Sequence, residues 1–373
     1  MSVVILGAST RAAAFSADRA GLRPWCVDLF ADADLERRFP VRRVPIEKYP
    51  RGLIAAMRDA PEGPVIYTGG LENHPELIGQ IDRPLWGNPP SVLRRVRSPY
   101  LLADALRSHG LPTLLVRADP PSAGDPRQWL LKPLRGSGGV GVRQYTRRSF
   151  FDPRTHYLQE YSPGDCFGAV FLGDGAQAAL LGLTRHVRAD WLHAPAFHYA
   201  GSVLTLTPPQ SNLRRIADAI AGTFSLRGLF GVDLVHHADP ATGVANFCVL
   251  EVNPRYTASV EVLERAQGWA LLTLHQAIFE GRLPHWQPIA TAAVAGKAVL
   301  YARRTFTFPD DGPWRDAWNA PLRDSDYADI PHAGETIERG RPVMTVFASA
   351  DDDIACMQGL REKVEALDRY LWG

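Results

Sequence analysis

One glycine-rich segment constrains the fold of this chain more than any other feature. An apolar, strand-like run from Trp129 to Lys132 leads into four glycines within six residues, at positions 136, 138, 139 and 141. Glycine has no Cβ, so this segment favours an exposed loop whose backbone N–H groups can approach a phosphate chain. A P-loop would end in Gly-Lys-Ser/Thr, whereas here the lysine precedes the glycines. Only four of the 41 Lys and Arg residues are lysines, which indicates that Arg would not serve at Lys132. We predict a phosphate-binding loop.

A second group of polar residues lies on two apolar runs, 231–235 and 249–253, which an Ala-Asp-Pro-Ala-Thr-Gly turn joins into a predicted hairpin. Residues two apart on a strand share a face, so Glu251 and Asn253 lie together and Asp233 can join them from the partner strand. Carboxylate and amide oxygens suit Mg²⁺. Arg255 reaches the same side if the chain stays extended through Pro254. The alternative is a pair of edge strands whose polar residues face water.

The first part of the chain has the pattern of a parallel α/β sheet. A strand from Val3 to Leu6, a glycine turn and a helix to Arg19 are followed by strands at 24–29 and 65–67. Only Gly7 is present where a dinucleotide-binding turn needs three glycines. We therefore expect a Rossmann-like domain that packs beside the functional site.

Further elements predict three domains. Helices are expected at 99–109 and 212–223, strands at 298–303 and 342–348, and a final helix at 353–371. A proline-containing stretch at 284–288 is typical of a linker. We predict a first domain over 1–95, a second over 96–290 with a lid at about 128–172, and a small C-terminal α+β unit over 291–373.

Composition excludes several classes of protein. Lys plus Arg total 41 against 40 Asp plus Glu, so no bulk charge favours nucleic acid. The four cysteines have neither zinc-site nor disulfide spacing, and no run of residues is long and apolar enough to span a membrane. We expect a cytoplasmic protein without a nucleic-acid or membrane partner.

The order of these motifs resembles the ATP-grasp superfamily. It runs from Lys132-Pro133 and the glycine loop, through Gln-Glu-Tyr-Ser-Pro-Gly at 159–164, to Gly-Val-Asp at 231–233 and Glu-Val-Asn-Pro-Arg at 251–255, and it covers residues 1 to about 290. The resemblance implies a Rossmann-like N-terminal domain, a two-part ATP-grasp fold, and ATP and Mg²⁺ as cofactors. It implies that Asp233, Glu251 and Asn253 hold Mg²⁺ and that Lys132 and Arg255 are catalytic. The implied nucleotide-binding residues are Lys132, Gly136, Ser137, Gly138, Gly139, Gly141, Glu160 and Tyr161.

Two positions depart from the family's pattern. Many members have a second phosphate-contacting lysine just before the helix that begins here near Pro99, but this chain has Arg97, which is a candidate substitute. Many members also carry an acid for the ribose hydroxyls shortly after Pro-Gly, often at the position of Cys166. Asp165, one residue earlier, is the candidate for that role.

The resemblance implies an ADP-forming carboxylate-amine ligase that works through an acyl phosphate, in cofactor or amino-acid-conjugate biosynthesis. Its partners would be a small-molecule carboxylate and an amine, with a homodimer as a further possibility. Candidate acceptor-site residues are Glu72, Asn73, Tyr199 and Ser202. Two alternatives stay open: a biotin- or bicarbonate-dependent carboxylase, and a non-catalytic nucleotide-binding regulator.

Overall fold

The computed structural model describes residues 1–188, 190–206, 212–238, 245–284, 293–318 and 325–373. The chain opens with a sheet in the order β3-β2-β1-β4, and its neighbouring strands are parallel. These strands are β1 (Ser2–Gly7), β2 (Arg23–Asp28), β3 (Val41–Arg43) and β4 (Val65–Tyr67). The accompanying helices are α1 (Arg11–Arg19), α2 (Ala33–Glu36), α3 (Arg51–Ala56) and α4 (Pro75–Ile78).

Both faces of this first sheet are buried, which explains the nearly continuous apolar sequence of β1. Val3 and Ile5 belong to one hydrophobic cluster, whereas Val4 and Leu6 belong to another that includes Leu53 of α3. Alternate residues of a strand point to opposite faces, so a strand covered on both sides is apolar throughout. The predicted Rossmann-like sheet is confirmed.

A small antiparallel sheet follows two helices. The helices are α5 (Pro90–Val96) and α6 (Pro99–Ser108), and the Ser98 hydroxyl accepts a hydrogen bond from the Leu101 N–H at the start of α6. The sheet has the order β5-β8-β6-β7. Its strands are β5 (Val116–Arg117), β6 (Trp129–Pro133), β7 (Arg143–Gln144) and β8 (His156–Glu160).

The largest sheet of the described chain has the order β13-β12-β9-β10-β11-β14-β18-β16, and its neighbouring strands are antiparallel. Its first five strands along the chain are β9 (Cys166–Asp174), β10 (Ala178–His186), β11 (Gly201–Leu204), β12 (Arg227–Ala238) and β13 (Ala245–Asn253). The helices of this region are α7 (Leu213–Phe224), α8 (Ala258–Gln267) and α9 (Leu272–Phe279).

The C-terminal strands extend that same sheet. Strands β14 (Val294–Tyr301), β16 (Tyr327–Ala328) and β18 (Pro342–Ala350) join its far side, and β15 (Phe306–Thr307) pairs with β17 (Thr336–Ile337). Helix α10 (Asp353–Trp372) closes the fold. The predicted hairpin turn, most of the predicted linker and the predicted boundary at 290 fall on residues 239–244 and 285–292, outside the described residues. The division into three domains stays a prediction.

A helix that spans a bilayer is long and predominantly apolar. None of the described helices is both long and apolar enough to cross a membrane.

Candidate functional site

The predicted acidic hairpin forms, and it brings its three polar residues together. Asp233 on β12 lies opposite Glu251 on β13, and Gly231 lies opposite Asn253. The Asn253 Nδ2 group donates to Asp233 Oδ2 at 3.0 Å and lies 3.5 Å from Glu251 Oε1. The amide therefore bridges the two carboxylates on one face of the hairpin.

The two carboxylates differ in their electrostatic surroundings. Burial and the adjacent Glu251 charge raise the pKa of Asp233 to about 8. Burial also acts to raise the pKa of Glu251, but the positive charges of Arg97 and Lys132 outweigh it and the pKa is lowered. Each side chain keeps a water-accessible part, 29% for Asp233 and 28% for Glu251. Both can be reached by a ligand.

This donor set fits a divalent cation. Across the described ranges no group of three or more His, Cys, Asp and Glu side chains could hold a metal, so a site here would rest on the two carboxylates and on Asn253. The Asn253 amide would have to turn its oxygen, which now faces Arg255 at 3.4 Å, towards the carboxylates. The charge of Glu251 favours the neutral form of Asp233, so a cation bound between the two carboxylates would stabilise both in their charged forms. Mg²⁺ usually binds hard oxygen ligands and keeps several of its water molecules.

Lys132 lies on β6, beside the hairpin. Its ammonium donates to Gln159 Oε1 at 3.0 Å and lies 5.8 Å from the centre of the Tyr157 ring. Burial acts to lower the pKa of Lys132, but Tyr157 and Glu251 outweigh that effect and raise it. The side chain is therefore a cation at neutral pH, as a phosphate ligand must be. Gln159 belongs to a motif quoted above but was not predicted as a site residue.

The glycine loop makes close contacts that only glycine allows. Gly138, Gly139 and Gly141 have φ angles of 61°, 80° and 80°, in the left-handed region. A Cβ on Gly139 would lie 1.9 Å from the carbonyl oxygen of Phe197, and the Tyr199 N–H donates to the Gly138 carbonyl at 3.1 Å. The loop therefore packs against residues 197–199, and Ser137 lies within it.

Two of the predicted nucleotide-binding residues, Glu160 and Tyr161, lie at the end of β8. Glu160 Oε2 accepts a hydrogen bond from the Leu115 N–H at 3.2 Å, and Tyr161 is 39% exposed. The Asp165 side chain is exposed, and its carbonyl accepts from the His236 N–H at 3.0 Å. These contacts leave the Tyr161 ring and the Asp165 carboxylate accessible to a ligand.

Arg97 connects the glycine loop to the acidic hairpin. It lies 3.5 Å from Glu251 Oε2, and it donates to the carbonyl oxygens of Val252 at 3.0 Å and Gly136 at 2.9 Å. It also donates to Asn73 Oδ1, while Asn73 Nδ2 donates to the same Gly136 carbonyl at 3.0 Å. The phosphate-loop and metal-ligand candidates thus share one site.

Arg255 reaches the site by a different route from the one predicted. The chain turns at Pro254, since the Arg255 N–H donates to the Asn253 carbonyl at 2.8 Å, so the strand does not stay extended. The guanidinium nevertheless lies 3.4 Å from Asn253 Oδ1 and pairs with Glu72 Oε1 at 2.8 Å. Glu72 Oε2 is buried and has no hydrogen-bond partner within the described part of the chain.

The remaining predicted acceptor residues flank a histidine that sequence analysis missed. The Tyr199 hydroxyl hydrogen-bonds to Ser202 at 2.9 Å, and its ring meets that of His186 edge-on at 5.5 Å. His186 Nε2 lies 4.0 Å from Asp233 Oδ1, and burial lowers its pKa to about 4. It is a neutral group beside the carboxylates. A lone histidine at the end of a strand gave no signal in the sequence.

The comparisons with known proteins agree with this geometry. Residues 97–259 match the family model described as an ATP-grasp domain. An uncharacterized protein of Methanocaldococcus jannaschii is 24% identical over 59% of this chain, and the match spans 50% of that relative's length. An L-amino acid ligase from Bacillus licheniformis superimposes with a TM-score of 0.69 at 16% identity, over 98% of this chain and 97% of that one.

A second solved structure with a similar fold contains bound ligands. The biotin carboxylase domain dimer of the 2-oxoglutarate carboxylase from Hydrogenobacter thermophilus, in complex with MgADP and bicarbonate, superimposes with a TM-score of 0.64 at 12% identity. The match covers 93% of this chain and 86% of that chain. At this level of identity the two structural likenesses establish the fold.

Proposed function

Since this chain contains an ATP-grasp domain and has the ATP-grasp fold, we propose that it is an ATP-dependent ligase. It joins a carboxylate to an amine through an acyl phosphate and releases ADP and phosphate. Its substrates are small molecules in cofactor or amino-acid-conjugate biosynthesis. Four unpaired cysteines are compatible with a reducing compartment, which supports a cytoplasmic location.

The observation that carries this proposal is the contact of Arg97 with both the glycine loop and Glu251. It places a loop suited to a phosphate chain beside a pair of carboxylates suited to a cation. Nucleotide phosphates bound by the loop would therefore lie next to Asp233 and Glu251. Phosphoryl transfer depends chiefly on positioning and charge neutralisation, which this arrangement supplies.

The chemistry needs two bond exchanges. A carboxylate oxygen attacks the γ-phosphorus of ATP and ADP leaves; the amine nitrogen then attacks the acyl carbon, phosphate leaves, and the amine's proton passes to solvent. Lys132 holds the nucleotide phosphates and offsets their charge. Asp233, Glu251 and Asn253 would hold Mg²⁺, which would supply further charge neutralisation.

Arg255 serves the acyl side of the site. Its Nε and NH2 groups pair with Glu72, and NH2 also faces Asn253. The guanidinium is thereby held beside Asn253, where it would bind a carboxylate or an acyl phosphate. Tyr199 and Ser202 supply hydroxyl groups for the acceptor on the other side of Asp233.

The decisive experiment follows oxygen from the substrate to phosphate. A screen of carboxylates and amines for ADP release first identifies the pair, which is then used with ¹⁸O in the carboxylate. One labelled oxygen should appear in inorganic phosphate, and hydroxylamine should trap the acyl group as a hydroxamate. The Glu251→Gln protein should give neither product, whereas Glu47→Gln, at an exposed position, should behave as the wild type.

Other outcomes separate the alternatives. ADP release that depends on bicarbonate and not on an amine would identify a carboxylase. ATP binding without turnover under any acceptor would identify a regulator. Release of AMP and pyrophosphate, or unlabelled phosphate during turnover, would refute the acyl-phosphate mechanism.

A further inference from the structure

The hydrogen bonds of Arg97 use nearly all the donors that its guanidinium has. Nε donates to Asn73 Oδ1 at 3.3 Å, NH2 to Asn73 Oδ1 at 3.0 Å and to the Gly136 carbonyl at 2.9 Å, and NH1 to the Val252 carbonyl at 3.0 Å. A guanidinium has five N–H groups. The fifth is on NH1, which lies 3.5 Å from Glu251 Oε2.

Asn73 completes a closed set of contacts with the same loop. Its oxygen accepts from Arg97, and its nitrogen donates to the Gly136 carbonyl at 3.0 Å. The Gly136 carbonyl thus accepts two hydrogen bonds, one from the first sheet's loop and one from the link between α5 and α6. The contacts fix the first glycine of the phosphate loop relative to the acidic hairpin.

We propose that Arg97 and Asn73 form a clamp that positions the glycine loop over the acidic hairpin, and that Arg97 is not a phosphate ligand. This assignment deepens the proposed nucleotide site, on which it rests, and it revises the expectation that Arg97 replaces a phosphate-contacting lysine. Asn73, predicted as an acceptor-site residue, is likewise a positioning residue.

The planar guanidinium is required for this role. A lysine at position 97 would offer a single nitrogen, which could not reach Asn73, Gly136 and Val252 from three directions. A phosphate ligand, in contrast, would keep much of its function as lysine. The conservative variant Arg97→Lys therefore separates the two roles.

Trypsin cleavage after Arg135 reports directly on the clamp, because that bond adjoins Gly136 and the Arg135 side chain is 64% exposed. Without nucleotide, trypsin should cleave Arg97→Lys and Asn73→Ala after Arg135 at least about five-fold faster than it cleaves the wild type. A factor of this size is expected when one hydrogen bond to the loop is lost. Cleavage after Arg154, which is 88% exposed, serves as the internal standard. The control Arg95→Lys, on helix α5, should match the wild type.

ATP titration and thermal melting complete the test. Both clamp variants should bind ATP more weakly while their melting temperatures stay near that of the wild type. Unchanged cleavage after Arg135 in both variants would overturn the clamp. ATP affinity that is retained in Arg97→Lys, with cleavage unchanged, would instead identify Arg97 as a phosphate ligand. The cleavage assay contains neither nucleotide nor acceptor, so its result is independent of whether the protein proves to be a ligase. If Arg97→Lys does not fold, Asn73→Ala still decides the question.

Discussion

Replacing Lys132 by alanine tests the nucleotide site most directly. In the structure the ammonium donates to the neutral amide of Gln159 at 3.0 Å, and its charge is favoured by Tyr157 and Glu251. A bound phosphate would add a charge-assisted hydrogen bond, which contributes about 1.5–3 kcal/mol. The Kd for ATP should therefore rise about 10- to 150-fold in Lys132→Ala.

The assay is calorimetric titration of ATP at fixed Mg²⁺. Lys132→Arg should recover only part of the affinity, because a guanidinium is larger and the present site holds the ammonium between Gln159 and the Tyr157 ring. Lys48→Ala, at an exposed position, is the control and should bind ATP as the wild type does. An unchanged Kd in Lys132→Ala would refute its role as a phosphate ligand.

Three further results are expected. Glu251→Gln should abolish the effect of Mg²⁺ on ATP affinity while circular dichroism stays unchanged; a loss of fold would instead reveal a structural carboxylate. Gly139→Ala should bind ATP about ten-fold more weakly than Gly138→Ala, since both have a left-handed backbone but only the first would place a Cβ 1.9 Å from the Phe197 oxygen; equal Kd values would contradict this. Burial lowers the pKa of His275 to about 4 from 6.5, so the unfolded state takes up the proton first. As the pH is lowered from 6.5 to 4, the free energy of unfolding should fall by on the order of 3 kcal/mol. Urea titrations of His275→Gln over the same range should show a smaller fall.

The local parts of the candidate site could be predicted from the sequence. The period of two along a strand placed Glu251 and Asn253 on one face, and the turn chemistry that follows Ala238 predicted the partner strand that carries Asp233. The glycine loop was predicted because several glycines in a short segment do not suit a helix or a strand interior. In each case neighbouring residues determine the geometry.

The contacts between distant segments could not be predicted in this way. Glu72 and Arg255 are 183 positions apart, and Arg97 and Val252 are 155 apart. Such pairs depend on how the first sheet and helices α5 and α6 pack against the largest sheet, which no local pattern encodes. The backbone turn at Pro254 was also not predicted. The Arg255 guanidinium still reaches Asn253, because a long side chain can reach one site from two backbone directions.

The extension of the largest sheet by β14 and β18 has a consequence for how the chain matures on the ribosome. One continuous apolar cluster contains Val3 of the first strand, Val203 of β11 and Leu367 of the last helix. During synthesis strand β1 is made long before helix α10, so the cluster that they share is incomplete until α10 has left the exit tunnel. Loop closure over such distances is entropically costly and slow. The packing of helix α10 therefore completes an apolar cluster to which strand β1 already contributes.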